Sequence, residues 1–151
     1  MTMTTFDVTN TKLYEDLAHY MNHQSERFRM LGEADMTVVF AVKAPTKTFR
    51  FLLVFNELSC DSVDVVSKEE AHLADFRLEG SIDAWNDMFD DIAANGGASG
   101  PFTINSLALR GDRISCEGED PMGLDKFSRF NQTLQDFLDG AGRLDLIRSK
   151  S

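Results

Sequence analysis

Apolar side chains recur at three- and four-residue intervals in some stretches of the chain and alternate with period two in others. Residues 74–92 show both patterns, because a short strand at 76–78 leads through Gly80 and Ser81 into an amphipathic helix. Ser81 is a good N-cap, since its hydroxyl can accept a hydrogen bond from a free backbone N–H of the first turn. The helix is expected to end at 95–97, Asn-Gly-Gly, where glycine readily takes the left-handed conformation. Its predicted apolar face comprises Ile82, Trp85, Met88, Phe89 and Ile92.

A longer amphipathic pattern precedes the first strands. Asn10 or Thr11 can cap a helix that ends at Gly32, and the polar stretch 22–27 leaves open whether this helix breaks into two pieces. Residues 1–9 are expected to be a loose lead-in, and residues 10–151 a single domain of ordinary size. The predicted apolar side of the helix comprises Leu13, Tyr14, Leu17, Met21, Phe28 and Leu31.

Strict alternation then predicts an antiparallel hairpin. Residues 36–42 and 49–55 are rich in β-branched and aromatic side chains, and a Pro-containing turn at 44–47 joins them. Both faces of the hairpin are rather apolar, so a sheet that buries both faces, or one face plus a cavity, is expected. A third strand is predicted at 63–66, followed by a short polar connection at 68–72.

The second half predicts one more strand and a closing helix. The glycine-rich stretch 93–101 is a flexible loop, and it lacks the Gly-Lys-Ser/Thr of a phosphate-binding loop. Residues 104–116 predict a strand that bends at Gly111. The final helix is expected to start near Leu124 or Asp125 and to end at Gly140. Its apolar side comprises Phe127, Phe130, Leu134, Phe137, Leu138 and Ala141.

The order of these elements sets the fold class. A helix, three strands, a strand, a helix, a strand and a helix show no regular alternation of strand and crossover helix, which disfavours a doubly wound parallel sheet. We therefore predict an α+β domain with a mostly antiparallel sheet of about five strands covered by helices.

Charge and composition exclude several classes of function. The formal net charge of -10 repels phosphate backbones and anionic headgroups, so we expect neither nucleic-acid binding nor stable membrane insertion. No apolar run approaches the roughly 20 residues of a membrane span, and we see no signal peptide at the N-terminus. Cys60 and Cys116 lie in no metal or redox spacing, which favours two free thiols in a reducing cytosol over a disulfide. A cytoplasmic location is therefore expected.

The sequence gives little evidence for a catalytic or metal-binding site. His19 and His23 lie four residues apart, a spacing that can hold a metal, but no carboxylate or Cys completes a site, and surface imidazoles are the better interpretation. None of the three His residues lies in a recognisable catalytic context with a Ser and an Asp. We therefore predict no catalytic residue, no metal and no cofactor.

Two alternatives nevertheless stay open at this point. A cone-shaped enzyme of the ketosteroid-isomerase or polyketide-cyclase type would place one carboxylate in an apolar pocket as a general base, with Tyr14, Tyr20 or a His as partner. The candidate carboxylates are Asp35, Asp64 and Asp75, at strand starts or ends. A START-like helix-grip domain would also bind an apolar ligand, but it usually has more strands.

Two local patterns and the order of elements resemble the sterol carrier protein 2 (SCP2) domain. The first pattern is the capped turn and helix start at 80–85, Gly-Ser-Ile-Asp-Ala-Trp, with Met88 and Phe89 following. The second is 107–111, Leu-Ala-Leu-Arg-Gly, which is similar to a Leu-x-Ile-x-Gly strand of that family. Asn105 stands where the family often has glycine, and the loop at 95–102 departs from the family pattern.

The resemblance implies an SCP2-like fold with an apolar cavity between the sheet and its helices. Such a tunnel would bind a fatty acyl chain, an acyl-CoA, a sterol or a similar lipid without catalysis, and an enzyme of lipid or steroid metabolism would be a partner. Aromatic side chains bury large areas and suit such a wall, and Met88 adds an adaptable one. The residues predicted to line the tunnel are Phe40, Phe51, Phe55, Trp85, Met88, Phe89, Phe127, Phe130, Leu134 and Phe137. For each of them plain packing in the core is the alternative, because apolar stripes at helical spacing usually fill a core.

Overall fold

The computed structural model describes residues 7–109 and 113–142, and their strands form one sheet in the order β3-β2-β1-β4-β5. β1 pairs antiparallel with β2, β2 with β3, and β4 with β5, whereas β1 and β4 run parallel. The prediction of a mostly antiparallel five-stranded α+β sheet is therefore confirmed. The strands are β1 (Met36–Lys43), β2 (Thr48–Asn56), β3 (Ser59–Val65), β4 (Phe76–Ser81) and β5 (Ile114–Glu117).

Helices cover both faces of this sheet, but unequally. One face, which we call the inner face, carries the main core beneath α1, α4, α5 and α6. The short α3 packs on the opposite, outer face over a small cluster of Val39, Ala71 and Ala74. No helix within the described part of the chain is long and apolar enough to cross a membrane. The helices are α1 (Thr11–Asn22), α2 (Ser25–Leu31), α3 (Lys68–Ala71), α4 (Ile82–Asn95), α5 (Ile104–Leu109) and α6 (Pro121–Asp139), with a 3-10 turn at Gly100–Phe102.

Alternation along β1 assigns side chains to the two faces. Val38 and Phe40 are buried in the main core, while the neighbouring Val39 and Ala41 point to the outer face, where Val39 joins the α3 cluster. Both sets of side chains are buried, which explains why the sequence of the hairpin is apolar on both faces. The inner face can therefore carry an aromatic core while the outer face carries a separate set of side chains.

Helix ends follow the predicted caps. The side chain of Asn10 accepts a hydrogen bond from Lys12 N, and Ser81 Oγ accepts one from Ala84 N at 3.2 Å. The first helix does break, because α1 ends at Asn22 and α2 begins at Ser25. α2 ends at Leu31, and Gly32 after it has a φ of 93°, which favours glycine. Leu31, predicted on the apolar side, is instead exposed at the last turn of α2.

The predicted strand at 104–116 is wrong over its first half, because residues 104–109 form α5. Thr103 Oγ1 accepts a hydrogen bond from Ser106 N, and Gln135 Oε1 accepts one from Ile104 N at 2.7 Å, so two of the free N–H groups at the helix start have side-chain partners. The Leu-Ala-Leu part of the family-like pattern thus lies on a helix. The predicted bend at Gly111 lies outside the described residues.

Two further helix starts differ from the prediction. α6 begins at Pro121, earlier than Leu124, because Asp120 caps it by accepting a hydrogen bond from Met122 N and proline suits the first turn. The connection at 68–72 contains α3, which Ser67 and Glu70 cap reciprocally.

Within the predicted lead-in 1–9, residues 7–9 are described, and Val8 there is buried in the main core.

Candidate functional site

The ten residues predicted to line a tunnel come together in one place. Two strands, β1 and β2, and two helices, α4 and α6, supply them, and all lie in or against the main core between the inner face and the helices. Nine of the ten are buried, and Phe130 is partly buried. The periodic patterns therefore placed these side chains on buried faces, and their role as the lining of a tunnel stays a prediction.

Tyr14 of α1 lies at the centre of this cluster, although it was not among the predicted lining residues. Its ring centroid lies 4.6 Å from that of Phe51, 5.7 Å from Phe40 and 6.5 Å from Phe89. Its hydroxyl donates a hydrogen bond of 2.8 Å to the carbonyl of Val8. Burial, with a contribution from the charge of Asp7, raises the pKa of Tyr14 well above its ordinary value, so the phenol stays neutral.

Two edge-to-face pairs extend the cluster from the sheet to α6. Phe55 of β2 and Phe137 have ring centroids 5.1 Å apart, and Phe76 of β4 and Phe127 have centroids 5.7 Å apart. Phe76 was not among the predicted lining residues, although the alternation of the strand at 76–78 could have placed it on the inner face.

Trp85 connects α4 to the sheet. Its indole nitrogen donates a hydrogen bond of 3.1 Å to the carbonyl of Ala41, and its ring lies 5.2 Å from that of Phe40. The side chain is fully buried, so its single polar atom has the partner that burial demands.

α6 is interrupted at Phe130. This residue has non-helical backbone angles, φ −115° and ψ 16°, and the guanidinium of Arg129 lies 5.4 Å from its ring centroid. Neither Pro nor Gly occupies this position, although these residues commonly cause a kink. The kink divides the helix that covers the aromatic core into two segments.

The carboxylates considered for an enzyme do not enter the core. Asp35 and Asp64 are exposed, and Asp75 Oδ2 accepts hydrogen bonds from Thr37 N and from Lys126 Nζ. Tyr20 is only partly buried. Within residues 7–109 and 113–142, the buried polar or charged residues are Arg77, Thr133 and Gln135, with no Asp or Glu among them. The arrangement needed for a buried general base is therefore lacking in the described core.

Histidine and metal chemistry have little support in the described residues. The rings of His19 and His23 lie 4.4 Å apart on the exposed side of α1, and His23 Nδ1 lies 2.8 Å from the carbonyl oxygen of His19. No group of three or more His, Cys, Asp or Glu side chains in this part of the protein is placed to hold a metal ion.

Two concave sites lie on the outer face, away from the aromatic core. The larger measures about 340 Å³ and is bordered by charged side chains, and the smaller measures about 180 Å³ beside Leu73 and Ala74. Neither is lined by any of the ten predicted residues. Sequence reasoning missed both, because each forms only when α3 is folded over the sheet.

Solved structures share this architecture. A crystal structure of sterol carrier protein 2 superposes with a TM-score of 0.65 at 15% identity, over 90% of this chain and 98% of that chain. The solution structure of a conserved hypothetical protein from Thermus thermophilus, described as possibly a sterol carrier protein, gives a TM-score of 0.58 at 15% identity, over 89% and 90%. No family model and no curated protein matches the sequence. The chain therefore has the fold of sterol carrier protein 2, as its sequence patterns predicted.

Proposed function

We propose that this protein binds and carries an apolar, lipid-like molecule in a tunnel between the inner face of its sheet and helices α1, α4 and α6. The observation that carries the proposal is the SCP2-like fold over nearly the whole chain, with an aromatic cluster held between sheet and helices. One solved structure with this fold is named as a sterol carrier protein. The ligands to test first are therefore a sterol, a fatty acyl chain and an acyl-CoA.

The ten side chains predicted from sequence are the proposed tunnel wall. They are supplied by both layers of the fold, which is the arrangement that lets a ligand be enclosed rather than held on a surface. Met88 is the adaptable member of this wall, because its side chain has three rotatable bonds and a polarisable sulfur.

The proposed route for the ligand passes the kink at Phe130 and the loop at 96–99. Ala98 N donates a hydrogen bond to Asp139 Oδ1, so the loop and the end of α6 are linked and would move together. Phe130 is the least buried member of the proposed wall, which is expected of a residue at an entrance. The protein would act in the cytoplasm and present its ligand to an enzyme of lipid or steroid metabolism.

Native mass spectrometry of the purified protein tests the proposal directly. We expect a bound apolar molecule, and organic extraction should recover it. Trp85 gives a second measurement, since it is the only tryptophan and lies in the proposed wall. Titration with oleate should shift its emission and reach saturation.

A matched pair of variants locates the site. Met88→Phe adds about one methylene of volume and replaces an adaptable wall residue with a rigid ring, so we expect oleate affinity to fall about tenfold or more while the fold persists. Met122→Phe makes the same change at a position that is 75% exposed, and it should leave affinity unchanged. A wild-type protein that neither retains nor takes up an apolar molecule, or a Met88→Phe variant with wild-type affinity, would contradict the proposal.

A further inference from the structure

The larger concave site on the outer face, here called the outer cleft, is lined by unusually many cations for an acidic protein. Lys43, Arg50, Lys68 and Arg77 border its volume of about 340 Å³ together with His72, whereas Glu79 is its one acidic lining residue. The whole chain carries a formal net charge of -10. A concave surface of opposite sign concentrates anions by focusing the local field.

The register of the sheet creates the floor of the cleft. Ala41 on β1 pairs with Arg50 on β2 at one side and with Glu79 on β4 at the other. Its methyl group leaves a depression between two long side chains, and Ala71 of α3 lines the same space. The charged groups therefore surround a floor of small residues.

Two carboxylates already have partners at one side of the cleft. Arg77 donates from Nε to Glu79 Oε2 at 3.0 Å and from an Nη atom to Glu119 Oε2 at 2.7 Å. Lys43 Nζ lies 3.7 Å from the other oxygen of Glu79, and His72 Nδ1 lies 2.6 Å from Glu119 Oε1. The hydrogen bonds from Arg77 and His72 hold the pKa of Glu119 below its usual range, so it stays ionised there.

Arg50 and Lys68 have no such partner. Neither forms an ion pair or a side-chain hydrogen bond with another described residue, although both border the cleft. The negative charges of Glu79 and Glu119 balance two of the four permanent cations, so two positive charges remain at the cleft. Arg50 lies on β2, an interior strand that is held in register by its pairing with Ala41, so its position is fixed at the backbone.

We propose that the outer cleft binds a small, soluble phosphorylated molecule, with its phosphate between Arg50 and Lys68. A guanidinium fork and an ammonium are the side chains that best recognise phosphate oxygens. The volume lies at the lower end of the range of small-molecule sites, about 300–1,000 Å³, so it accommodates a phosphate together with a sugar-sized body. A lipid surface is the less favoured source of phosphate, because the acidic chain is repelled by anionic headgroups.

Chemical-shift mapping of the labelled whole chain with ribose 5-phosphate at low salt tests this inference. We expect saturable shifts at the backbone amides of Ala41, Arg50 and His72, and none with ribose alone, which has the sugar but no phosphate. Arg50→Gln and Lys68→Gln should each weaken binding about tenfold or more, because each removes a charge-assisted contact. Lys12→Gln is the matched control, since Lys12 carries the same charge on α1 and pairs with Asp16.

Each alternative outcome overturns the inference. No shift at these amides up to about 10 mM ligand would show that the cleft has no useful phosphate affinity. Equal weakening by Lys12→Gln would mean general electrostatic attraction. Stronger, Arg50-dependent binding to phosphatidylcholine vesicles that contain phosphatidic acid would assign the cleft to a lipid headgroup instead. Loss of oleate binding is not expected in any cleft variant, so this test is independent of the proposed tunnel.

Discussion

The indole nitrogen of Trp85 and the carbonyl oxygen of Ala41 are 3.1 Å apart, and their hydrogen bond fixes α4 to the middle strand of the sheet. The two residues also belong to the two different proposed sites. Trp85 lies in the aromatic core on the inner face, whereas the methyl group of Ala41 lines the outer cleft. The strand β1 is thus the shared wall of both, and its register positions groups on each side.

Trp85→Phe should reduce stability without changing the fold. The variant loses a buried hydrogen bond and part of a large ring, so we expect the free energy of unfolding to fall by about 2–3 kcal/mol. Urea denaturation followed by circular dichroism measures this change. Leu73→Ala is the control, because Leu73 is 85% exposed and should alter stability by less than about 0.5 kcal/mol. A similar, small effect for both variants would contradict the structural role of Trp85.

Gly123→Ala is expected to destabilise the protein, although alanine is normally the better residue in a helix by about 1 kcal/mol. A Cβ at Gly123 would collide with the backbone carbonyl of Asp75. That backbone cannot easily move, because Asp75 N donates to the carbonyl of Thr37 and Asp75 Oδ2 accepts from Thr37 N. We expect a loss of about 2 kcal/mol or more in the free energy of unfolding.

Thermal or urea unfolding of Gly123→Ala, compared with that of Ser128→Ala, distinguishes two effects. One is the steric clash with the backbone of Asp75, and the other is the gain in helix propensity that any alanine brings. Ser128 is exposed on the same helix, so alanine there should be neutral or slightly stabilising. A Gly123→Ala variant that gains stability as Ser128→Ala does would show that α6 does not approach the backbone of Asp75 as closely as described.

Local signals accounted for the parts of the fold that depend on neighbours in sequence. Asn10 and Ser81 were predictable as caps because the capping oxygen and its N–H group lie within three residues. Residues 104–109 were not, because Ile104 and Leu107 fit a strand or a helix equally well in so short a segment. The helix there is favoured in part by the hydrogen bond from Ile104 N to Gln135 Oε1, which lies 31 positions away in the sequence.

The two proposed sites differ in the same way in how far the sequence predicts them. The aromatic set was predictable, because periodicity alone places Phe40 and Phe137 on buried faces. The outer cleft depends on the parallel pairing of β1 with β4, which puts Ala41 beside Glu79. No pattern within either strand reveals that pairing, so the cations around the cleft could not be grouped from sequence.

Both cysteines should react slowly in the native protein. Burial raises the pKa of Cys60 to about 12 and that of Cys116 to about 11, with the charge of Glu117 contributing at Cys116. Little thiolate is therefore present at about pH 8, where an ordinary thiol of pKa about 8.5 reacts readily. Labelling with a disulfide reagent should be at least about a hundredfold slower in the native state than in urea, where both thiols are exposed.

The order of labelling adds a sharper expectation. Cys116 is only partly buried and has the lower pKa, so it should react before Cys60. The Cys60→Ser variant should retain the faster native phase, and Cys116→Ser the slower one. A thiol that labels as fast in buffer as in urea would show that its surroundings are more open than the structure has them.

Glu119→Gln should change how stability depends on pH. The hydrogen bond from Arg77, and then that from His72, lowers the pKa of Glu119 in the folded protein. In the unfolded chain a glutamate titrates near pH 4.3, so the folded state binds fewer protons and is stabilised above that pH. This stabilisation is lost as the pH falls through the lowered pKa, because the carboxyl is then protonated in both states.

We therefore expect the urea midpoint of Glu119→Gln to lie below that of the wild type near pH 7 and to approach it below about pH 4. Glu117→Gln is the matched control: Glu117 is exposed at the end of β5 and forms no ion pair with another residue of the described ranges. Its midpoint should follow the wild type at every pH. A Glu119→Gln deficit that stays constant from about pH 7 to about pH 3 would mean that the lost contact is steric rather than ionic, since only an ionised partner makes the difference depend on pH.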